Sequence, residues 1–315
     1  MNSCGNGCVV VMMLPGNIAM PGMLIGPEEA RMILPLPEPT ESGGGRQRIF
    51  DNGLVMTIAR GGRQTGRDVW KGSHVMQRYL SANRAELVTG KRAVELGAGA
   101  GYLSMSTHLL GSSLCVHTDK FLELSASNVH TNDSLLQAAP GTFVRCACDW
   151  DEVQRTGALP PALAISGGFD LILAADCLYY DEKYAHSLVA VLALLLPHCE
   201  PGVRASVALL CQSYRGAPDV EKVFFEAAAR EGLGCALVSQ EELSPDRVAL
   251  KRLNCAIWRL WRESPPAPAM SLHPAAPPQH QPLLDLRRVQ RVEDDSIRTQ
   301  WVFRPYSPQE VEPAR

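Results

Sequence analysis

The sequence predicts an α/β fold: a mostly parallel sheet of seven strands with helices on both faces. Short apolar runs typical of buried strands alternate with segments of helical periodicity over most of residues 69–238. One of these runs, residues 169–176, is almost continuously apolar, as expected of a central parallel strand that is buried on both faces. A glycine-rich turn, residues 97–101, lies between an apolar run and a helical segment, which is typical of a ligand-binding turn in such folds.

The composition excludes several classes of partner. The chain has 315 residues and a formal net charge of −3, so it offers no electrostatic footprint for nucleic acid or an anionic membrane. No apolar run reaches the roughly 20 residues that a membrane-spanning helix needs. The ten cysteines show no metal-ligand spacing, and we interpret them as buried free thiols in a reducing compartment. We therefore expect no metal, no nucleic acid and no membrane partner, and a monomer in the cytoplasm or nucleus.

Three segments differ in composition. Residues 1–46 are rich in Gly, Pro and Met and have no sustained period, which predicts a disordered extension. Residues 47–263 contain the periodic segments and form the predicted folded domain. Residues 264–315 begin with many prolines, which exclude a helix there, and we interpret them as a largely disordered tail with one strand near residues 297–303.

The folded domain is predicted to begin with a β-hairpin, because two apolar runs flank the turn residues Asp51, Asn52 and Gly53. An amphipathic helix follows over residues 69–87, with Trp70 at its beginning. On its own, Trp70 is as well explained by a place in the core as by a place in a binding site.

The alternation of strands and helices then runs to the end of the domain. Residues 151–168 contain several Pro and Gly residues and are predicted to be a loop insertion. The last two strands have no helix between them and should therefore pair antiparallel. The predicted strands are residues 93–96, 114–119, 142–150, 169–176, 203–211, 235–238 and 255–260, and the predicted helices are residues 102–110, 122–132, 184–196 and 218–228.

The carboxyl ends of these strands carry the residues that point to a binding site. Parallel strands end at one edge of the sheet, and ligands of open α/β sheets bind beyond that edge. The glycine turn, Asp119, the pair Asp149 and Trp150, and the pair Ala175 and Asp176 all follow strand ends. We expect these four groups to meet at one site.

The glycine turn favours one nucleotide-like ligand over another. Asp119 is suited to accept hydrogen bonds from both hydroxyls of a ribose, which NAD and S-adenosylmethionine share. A dinucleotide-binding turn has the spacing G-x-G-x-x-G/A, but counted from Gly97 the last position is Tyr102, whose bulk would spoil close packing of the helix. The spacing G-x-G-x-G therefore predicts S-adenosylmethionine as the cofactor, with NAD as the alternative.

The segments VELGAGAG, the aspartate that ends the next strand, the DW pair and LAADCLYYDE together resemble the seven-strand S-adenosylmethionine methyltransferases. More narrowly, residues 48–262 resemble the group of protein-lysine methyltransferases that carries a D-x-x-Y motif after the fourth strand. The segments VWKGSHVMQRYL and PDVEKVFFE are most similar to a member that acts on an AAA ATPase. The resemblance implies a Rossmann-like class I methyltransferase fold, S-adenosylmethionine, and a protein substrate of the AAA ATPase or chaperone-like kind.

The resemblance also implies roles for individual residues. Asp176 and Tyr179 form the D-x-x-Y pair at the channel for the substrate lysine, where Tyr179 would orient the amine and Asp176 would hold a cationic group. If a helix follows the strand at once, residues three apart share a face; the alternatives are aromatic packing for Tyr179 and a helix N-cap to residues 178–179 for Asp176. The implied cofactor-binding residues are Trp70, Glu95, Gly97, Ala98, Gly99, Gly101, Asp119, Trp150 and Ala175.

Three other functions stay open at this point. The same fold would serve a methyltransferase that acts on another protein site or on a small amine. It would also serve a non-catalytic scaffold that binds the cofactor and uses the extensions for partners, although the intact motifs argue against this. An NAD-dependent enzyme is the third.

Overall fold

The computed structural model describes residues 46–58, 65–165, 167–179, 181–196, 206–213, 218–238, 255–262, 284–293 and 296–305. The chain divides into two compact units, residues 1–264 and residues 265–315, which are described separately. The predicted N-terminal extension lies outside the described residues, apart from its last residue, Arg46, which begins the first strand.

The first unit is built on the predicted seven-stranded sheet. Its strands are β3 (Arg92–Leu96), β4 (Leu114–Asp119), β5 (Thr142–Ala147), β6 (Leu171–Ala175), β7 (Val207–Ser213), β8 (Leu233–Leu237) and β9 (Cys255–Arg262). Their order across the sheet is β5-β4-β3-β6-β7-β9-β8. The first five are parallel, and β9 is antiparallel to both of its neighbours. The fold class is therefore confirmed, including the antiparallel pairing of the last two strands.

The helices follow the strands as expected, with two differences in their continuity. The predicted helix over residues 69–87 is interrupted at Asn83, and the one over residues 122–132 is followed, after Asn132, by a further helix. No helix in the described part of the chain is long and apolar enough to cross a membrane. The helices are α1 (Lys71–Ala82), α2 (Arg84–Leu87), α3 (Tyr102–Leu109), α4 (Glu123–Thr131), α5 (Asp133–Ala138), α6 (Trp150–Thr156), α7 (Glu182–Leu195) and α8 (Pro218–Arg230).

The prediction of a loop over residues 151–168 is wrong for its first six residues, which belong to α6. The side chain of Asp149 caps this helix by accepting a 3.1 Å hydrogen bond from the backbone N–H of Asp151, and Gly157 ends it with φ +68°. Val153 is the buried residue of this short helix. A single buried residue produces no helical periodicity, so the hydrophobic pattern of the sequence did not reveal this helix. Its capping residues, Asp149 and Gly157, were nevertheless visible in the sequence.

The centre of the core is the strand that the sequence predicted to be buried on both faces. All five residues of β6 are buried, and Leu171 and Leu173 belong to one core cluster with Val75, Met76 and Leu80 of α1. This packing fixes the start of α1, where Trp70 lies, close to the carboxyl end of β6. Five of the described cysteines are buried free thiols, as predicted: Cys115, Cys146, Cys148, Cys177 and Cys211.

The predicted N-terminal hairpin is confirmed by β1 (Arg46–Ile49) and β2 (Val55–Ile58), which pair antiparallel. Two side-chain amides of the α4 region hold β2. Asn132 accepts from the N–H of Val55 and donates to its carbonyl, both at 2.8 Å. Asn128 accepts from the N–H of Thr57 at 2.7 Å and donates to its carbonyl at 3.4 Å. These amides hydrogen-bond alternate residues of β2 as a neighbouring strand would.

The second unit contains a two-stranded antiparallel hairpin of β10 (Leu284–Glu293) and β11 (Ser296–Pro305). The strand predicted near residues 297–303 lies within β11. Its partner was not predicted, and these twenty residues differ from the expectation of a largely disordered tail. The strongly charged composition of β10 hid its strand from the sequence pattern.

Candidate functional site

A cavity of about 350 Å³ lies at the carboxyl ends of β3, β4 and β6. This volume falls in the range of small-molecule binding sites. All residues predicted for the site line the cavity except Glu95 and Gly101. The lining residues are Gly66, Asp68, Trp70, Ser73, Gly97, Ala98, Gly99, Asp119, Lys120, Phe121, Glu123, Leu124, Cys148, Asp149, Trp150, Asp151, Ala175, Asp176, Cys177, Tyr179 and Tyr184.

The glycine turn after β3 brings bare backbone to the cavity. Gly97 and Gly99 adopt positive φ angles of +68° and +51°, which side chains rarely tolerate. A Cβ at Gly97 would stand 3.0 Å from the ring of Trp150, and one at Gly99 would stand 2.7 Å from the carbonyl oxygen of Gly66. Both conformation and space therefore require glycine at these two positions.

Asp119 ends β4 and connects the strand to the glycine turn. Its carboxylate accepts hydrogen bonds from the backbone N–H groups of Gly99 at 2.8 Å and Phe121 at 2.9 Å. Burial nevertheless raises the pKa of the Asp119 carboxyl, because desolvation outweighs these bonds. A carboxylate has about four acceptor positions, so Asp119 keeps capacity for the hydroxyls of a ligand.

Trp150 forms another wall of the cavity. It is the first residue of α6, and the cap at Asp149 fixes its backbone. Its ring packs against Gly97, as the short distance to a Cβ there indicates. Its indole Nε1–H is buried and has no hydrogen-bond partner in the described part of the chain. A buried donor without an acceptor is costly, so this group favours a ligand that supplies one.

Asp176 follows β6 and is 4% exposed. It has φ +56°, the only positive φ among the described non-glycine residues. Its carboxylate accepts hydrogen bonds from the N–H of Gly72 and the N–H of Ser213, both at 2.7 Å, and from the Ser213 hydroxyl. The alternative role as an N-cap is wrong, because the next helix begins only at Glu182 and is capped by Asp181.

Tyr179 is half-buried and lines the same cavity as Asp176. The expectation that a helix places them on one face is wrong, since residues 177–179 have no regular secondary structure. The irregular segment between β6 and α7 brings both side chains to the cavity instead. Tyr184, in the first turn of α7, adds a second tyrosine ring to the cavity, and it is 42% exposed.

Glu95 and Gly101 lie behind the glycine turn. Glu95 is 2% exposed and hydrogen-bonded to Ser104, and burial raises the pKa of its carboxyl to about 8. Gly101 precedes α3 with φ +91°, and a Cβ there would contact His117 at 3.3 Å. Since neither residue lines the cavity, their predicted cofactor-binding role reduces to support of the turn.

Several lining residues were not predicted, and the signal for them differs. Four of them are sequence neighbours of predicted residues, so extending each strand end by one or two positions would have found them: Lys120, Phe121, Cys148 and Cys177. Three others come from segments with no strand-end signal, and only the tertiary structure brings them to the cavity: Gly66, Asp68 and Tyr184.

The charges around the cavity are predominantly negative. Among the described lining residues, Lys120 carries the positive charge, and it pairs with Asp149 at 2.8 Å. Asp151 is paired with Lys183 at 2.6 Å. This excess of carboxylates suits a ligand or substrate that carries positive charge. The lining carboxylates are Asp68, Asp119, Glu123, Asp149, Asp151 and Asp176.

No group of three or more His, Cys, Asp or Glu side chains among the described residues is arranged to hold a metal ion.

Comparison with known proteins finds similarity to protein methyltransferases. The chain is 33% identical over 118 residues to protein N-lysine methyltransferase METTL21A of Danio rerio, covering 37% of this chain and 49% of that protein. It is 29% identical over 133 residues to EEF1A lysine methyltransferase 3 of Mus musculus, covering 41% and 51%. The chain thus spans about half the length of the curated relatives it matches.

Among solved structures, the chain is similar to magnesium protoporphyrin IX methyltransferase (ChlM) from Synechocystis PCC 6803 with bound SAM. The TM-score is 0.38, the identity 15%, and the coverage 61% of this chain and 80% of that chain. The family described as lysine methyltransferase matches residues 51–231, which include the glycine turn, Asp119 and the D-x-x-Y motif. Because this match covers more than half of the sequence, the chain belongs to the lysine methyltransferase family.

Proposed function

We propose that the chain is an S-adenosylmethionine-dependent methyltransferase that acts on the side-chain amine of a protein lysine. The observation that carries the proposal is the meeting of the glycine turn, Asp119, Trp150 and the D-x-x-Y pair in one cavity. Membership of the lysine methyltransferase family supports the same reaction.

The residues present fit the proposed cofactor. The bare backbone at Gly97 and Gly99 would let the amino-acid part approach the turn, and Asp119 would accept from the ribose hydroxyls. The unpartnered Nε1–H of Trp150 is a donor for a polar ligand group, and the carboxylates favour a positive charge. When bound, S-adenosylmethionine supplies a methyl group on a sulfonium, which is electrophilic.

The lysine of the substrate must then react as a neutral amine. A free lysine has a pKa near 10.4, so on the order of one part in a thousand is neutral at neutral pH, a cost of roughly 4 kcal/mol. A cavity that excludes water lowers the pKa of an amine that enters it. The carboxylates that line the cavity would attract the ammonium form, while burial of the amine inside the cavity favours loss of its proton.

Tyr179 is the residue that we expect to orient the amine. Its phenolic oxygen can accept a hydrogen bond from the amine N–H and so direct the nitrogen lone pair, and its ring can contact a methylated ammonium by cation–π attraction. Such orientation accelerates the reaction by positioning the reactants. Once the amine is neutral, methyl transfer needs little further acid–base catalysis, because the sulfonium leaves as a neutral thioether. Asp176 lines the same cavity, close to where the amine or the cofactor would lie.

The substrate is proposed to be a protein of the AAA ATPase or chaperone-like kind. The candidate is valosin-containing protein, an AAA ATPase, because the segments VWKGSHVMQRYL and PDVEKVFFE are most similar to those of the methyltransferase that acts on it. We propose further that the chain acts as a monomer in the cytoplasm or nucleus, in keeping with its free buried thiols.

The acceptor is tested by incubating the full chain with methyl-labelled S-adenosylmethionine and cell lysate, separated into protein and small-molecule fractions. We expect label in protein, recovered after acid hydrolysis as methyl-lysine, and a labelled band when purified valosin-containing protein replaces the lysate. Label in the small-molecule fraction alone would instead identify a small-amine methyltransferase. Cofactor binding with no label in either fraction would favour the non-catalytic scaffold.

A further inference from the structure

The carboxylate of Asp176 joins three separate elements at the edge of the cavity. It follows β6, it accepts from the N–H of Gly72 in the first turn of α1, and it accepts from the N–H and hydroxyl of Ser213 at the end of β7. Three donors occupy most of the roughly four acceptor positions of a carboxylate. Little of its hydrogen-bonding capacity is left for a ligand or substrate.

The space around Gly72 indicates that this contact is built into the fold. A Cβ at Gly72 would stand 2.8 Å from the Asp176 carboxyl carbon and 3.1 Å from the carbonyl oxygen of Cys211. The distance to Asp176 is shorter than real Cβ contacts, and the distance to Cys211 is tighter than most of them, so Gly72 lets α1 approach Asp176 closely. Gly72 is itself buried and lies between Trp70 and Ser73, which both line the cavity.

The backbone of Asp176 contributes to the same arrangement. Its N–H donates to the carbonyl of Cys211 at 2.8 Å, and its φ of +56° turns the chain sharply after β6. The strain of a positive φ at a non-glycine residue persists only where surrounding contacts determine it. The bonds to Gly72 and Ser213 are contacts of that kind, and they set the direction of the segment that leads to Tyr179.

We propose that Asp176, Gly72 and Ser213 form a clamp that positions the start of α1, and with it Trp70, at the cavity, and that Asp176 acts through this clamp rather than as a charge at the reacting amine. The proposal deepens the proposed methyltransferase function and rests on it for the identity of the ligand. Asp176 is thus a positioning residue, and Gly72 and Ser213 become determinants of the site although neither lines the cavity.

The test compares Ser213→Ala and Gly72→Ala with Asp176→Asn in the full chain labelled with 5-fluorotryptophan. The fluorine resonance of Trp70 is assigned by its loss in Trp70→Phe. We expect this resonance to shift or broaden in all three clamp variants, and we expect the dissociation constant of S-adenosylhomocysteine, from calorimetry, to rise at least fivefold. Ser213→Thr keeps the hydroxyl and should restore both values.

Ser206→Ala is the matched control, because Ser206 immediately precedes β7, at the end opposite Ser213, and donates its hydroxyl to the carbonyl of Phe169 at 2.6 Å. It should leave the Trp70 resonance and the affinity unchanged. An unchanged resonance and affinity in Ser213→Ala would overturn the clamp, as would loss of affinity in Asp176→Asn alone. If the wild-type chain binds no S-adenosylhomocysteine, the proposed function fails, and the Trp70 resonance still decides on the clamp.

Discussion

Glu95 shows how a single residue of the glycine-turn motif departs from its expected role. Its place in VELGAG suggested contact with the ligand, whereas the side chain lies beneath the turn against Ser104. The motif is visible in the sequence, but the sequence does not show which of its side chains face the cavity and which face the interior. Burial raises the pKa of the Glu95 carboxyl from 4.5 to about 8, so the carboxyl is protonated in the folded chain at neutral pH.

We predict that Glu95→Gln removes part of the pH dependence of stability. Because the folded carboxyl holds its proton more tightly than the unfolded one, its contribution to the free energy of unfolding is full below pH 4.5 and is lost as the pH rises through about 8. Glutamine does not titrate, so the variant should gain stability relative to wild type between pH 5 and 8, by at most about 1.4 kcal/mol per pH unit. Urea unfolding at several pH values measures this, and parallel curves for the two proteins would contradict it.

Tyr179 carries the second residue-scale prediction. Tyr179→Phe keeps the ring and removes the oxygen that we expect to orient the amine. The single-turnover rate of methyl transfer should fall about tenfold or more, equivalent to at least about 1.4 kcal/mol, while the affinity for the cofactor stays nearly constant. If Tyr179 only packs against its surroundings, phenylalanine fills the same space and the rate stays at the wild-type value.

At the scale of elements, strands and helices were predicted best where burial alone determines the pattern of apolar residues. The strands of the central sheet were visible because burial on both faces leaves long apolar runs, as in β6. α6 and β10 were missed for the opposite reason, since α6 buries a single residue and β10 is dense in charge. The attachment of the β1–β2 hairpin was also missed, because side-chain amides leave no periodic pattern.

We predict that Asn132→Ala destabilises the first unit by about 2 kcal/mol, because it leaves the N–H and carbonyl of Val55 without their partners. Asn132 is 3% exposed, so water cannot readily replace the amide. His130→Ala, an exposed position in the same helix region, is the control and should change little. Thermal and urea unfolding measure both variants, and equal stability of Asn132→Ala and wild type would show that the hairpin is held by other contacts.

For the whole molecule, the sequence predicted which edge of the sheet carries the cavity, but only some of the residues that line it. Residues at the strand ends were predictable because parallel strands end together, as Asp119 and Ala175 do. The contributions of Gly66, Asp68 and Tyr184 depend on where the segment before α1 and the helix α7 lie against the sheet, which strand patterns do not encode. The clamp at Asp176 was likewise beyond the sequence, since it joins residues 104 and 37 positions apart.

We predict that a truncated protein of residues 47–263 keeps the fold and the cavity. All residues that line the cavity and all strands of the seven-stranded sheet lie within this range. The truncated protein should unfold cooperatively and bind S-adenosylhomocysteine as tightly as the full chain. An insoluble or non-binding product would show that the terminal segments are needed by the domain.

The central claim is that the cavity binds the methyl-donor cofactor through the glycine turn and Asp119. Calorimetric titration of the full chain and of Asp119→Ala with S-adenosylhomocysteine and with NAD tests it most directly. We predict micromolar binding of S-adenosylhomocysteine to the wild-type chain, no saturable binding of NAD, and weaker binding to Asp119→Ala by about 1.5–3 kcal/mol, as expected for a lost hydrogen bond to a charged group. Saturable binding of NAD without binding of S-adenosylhomocysteine, or equal affinity in a folded Asp119→Ala, would contradict the account.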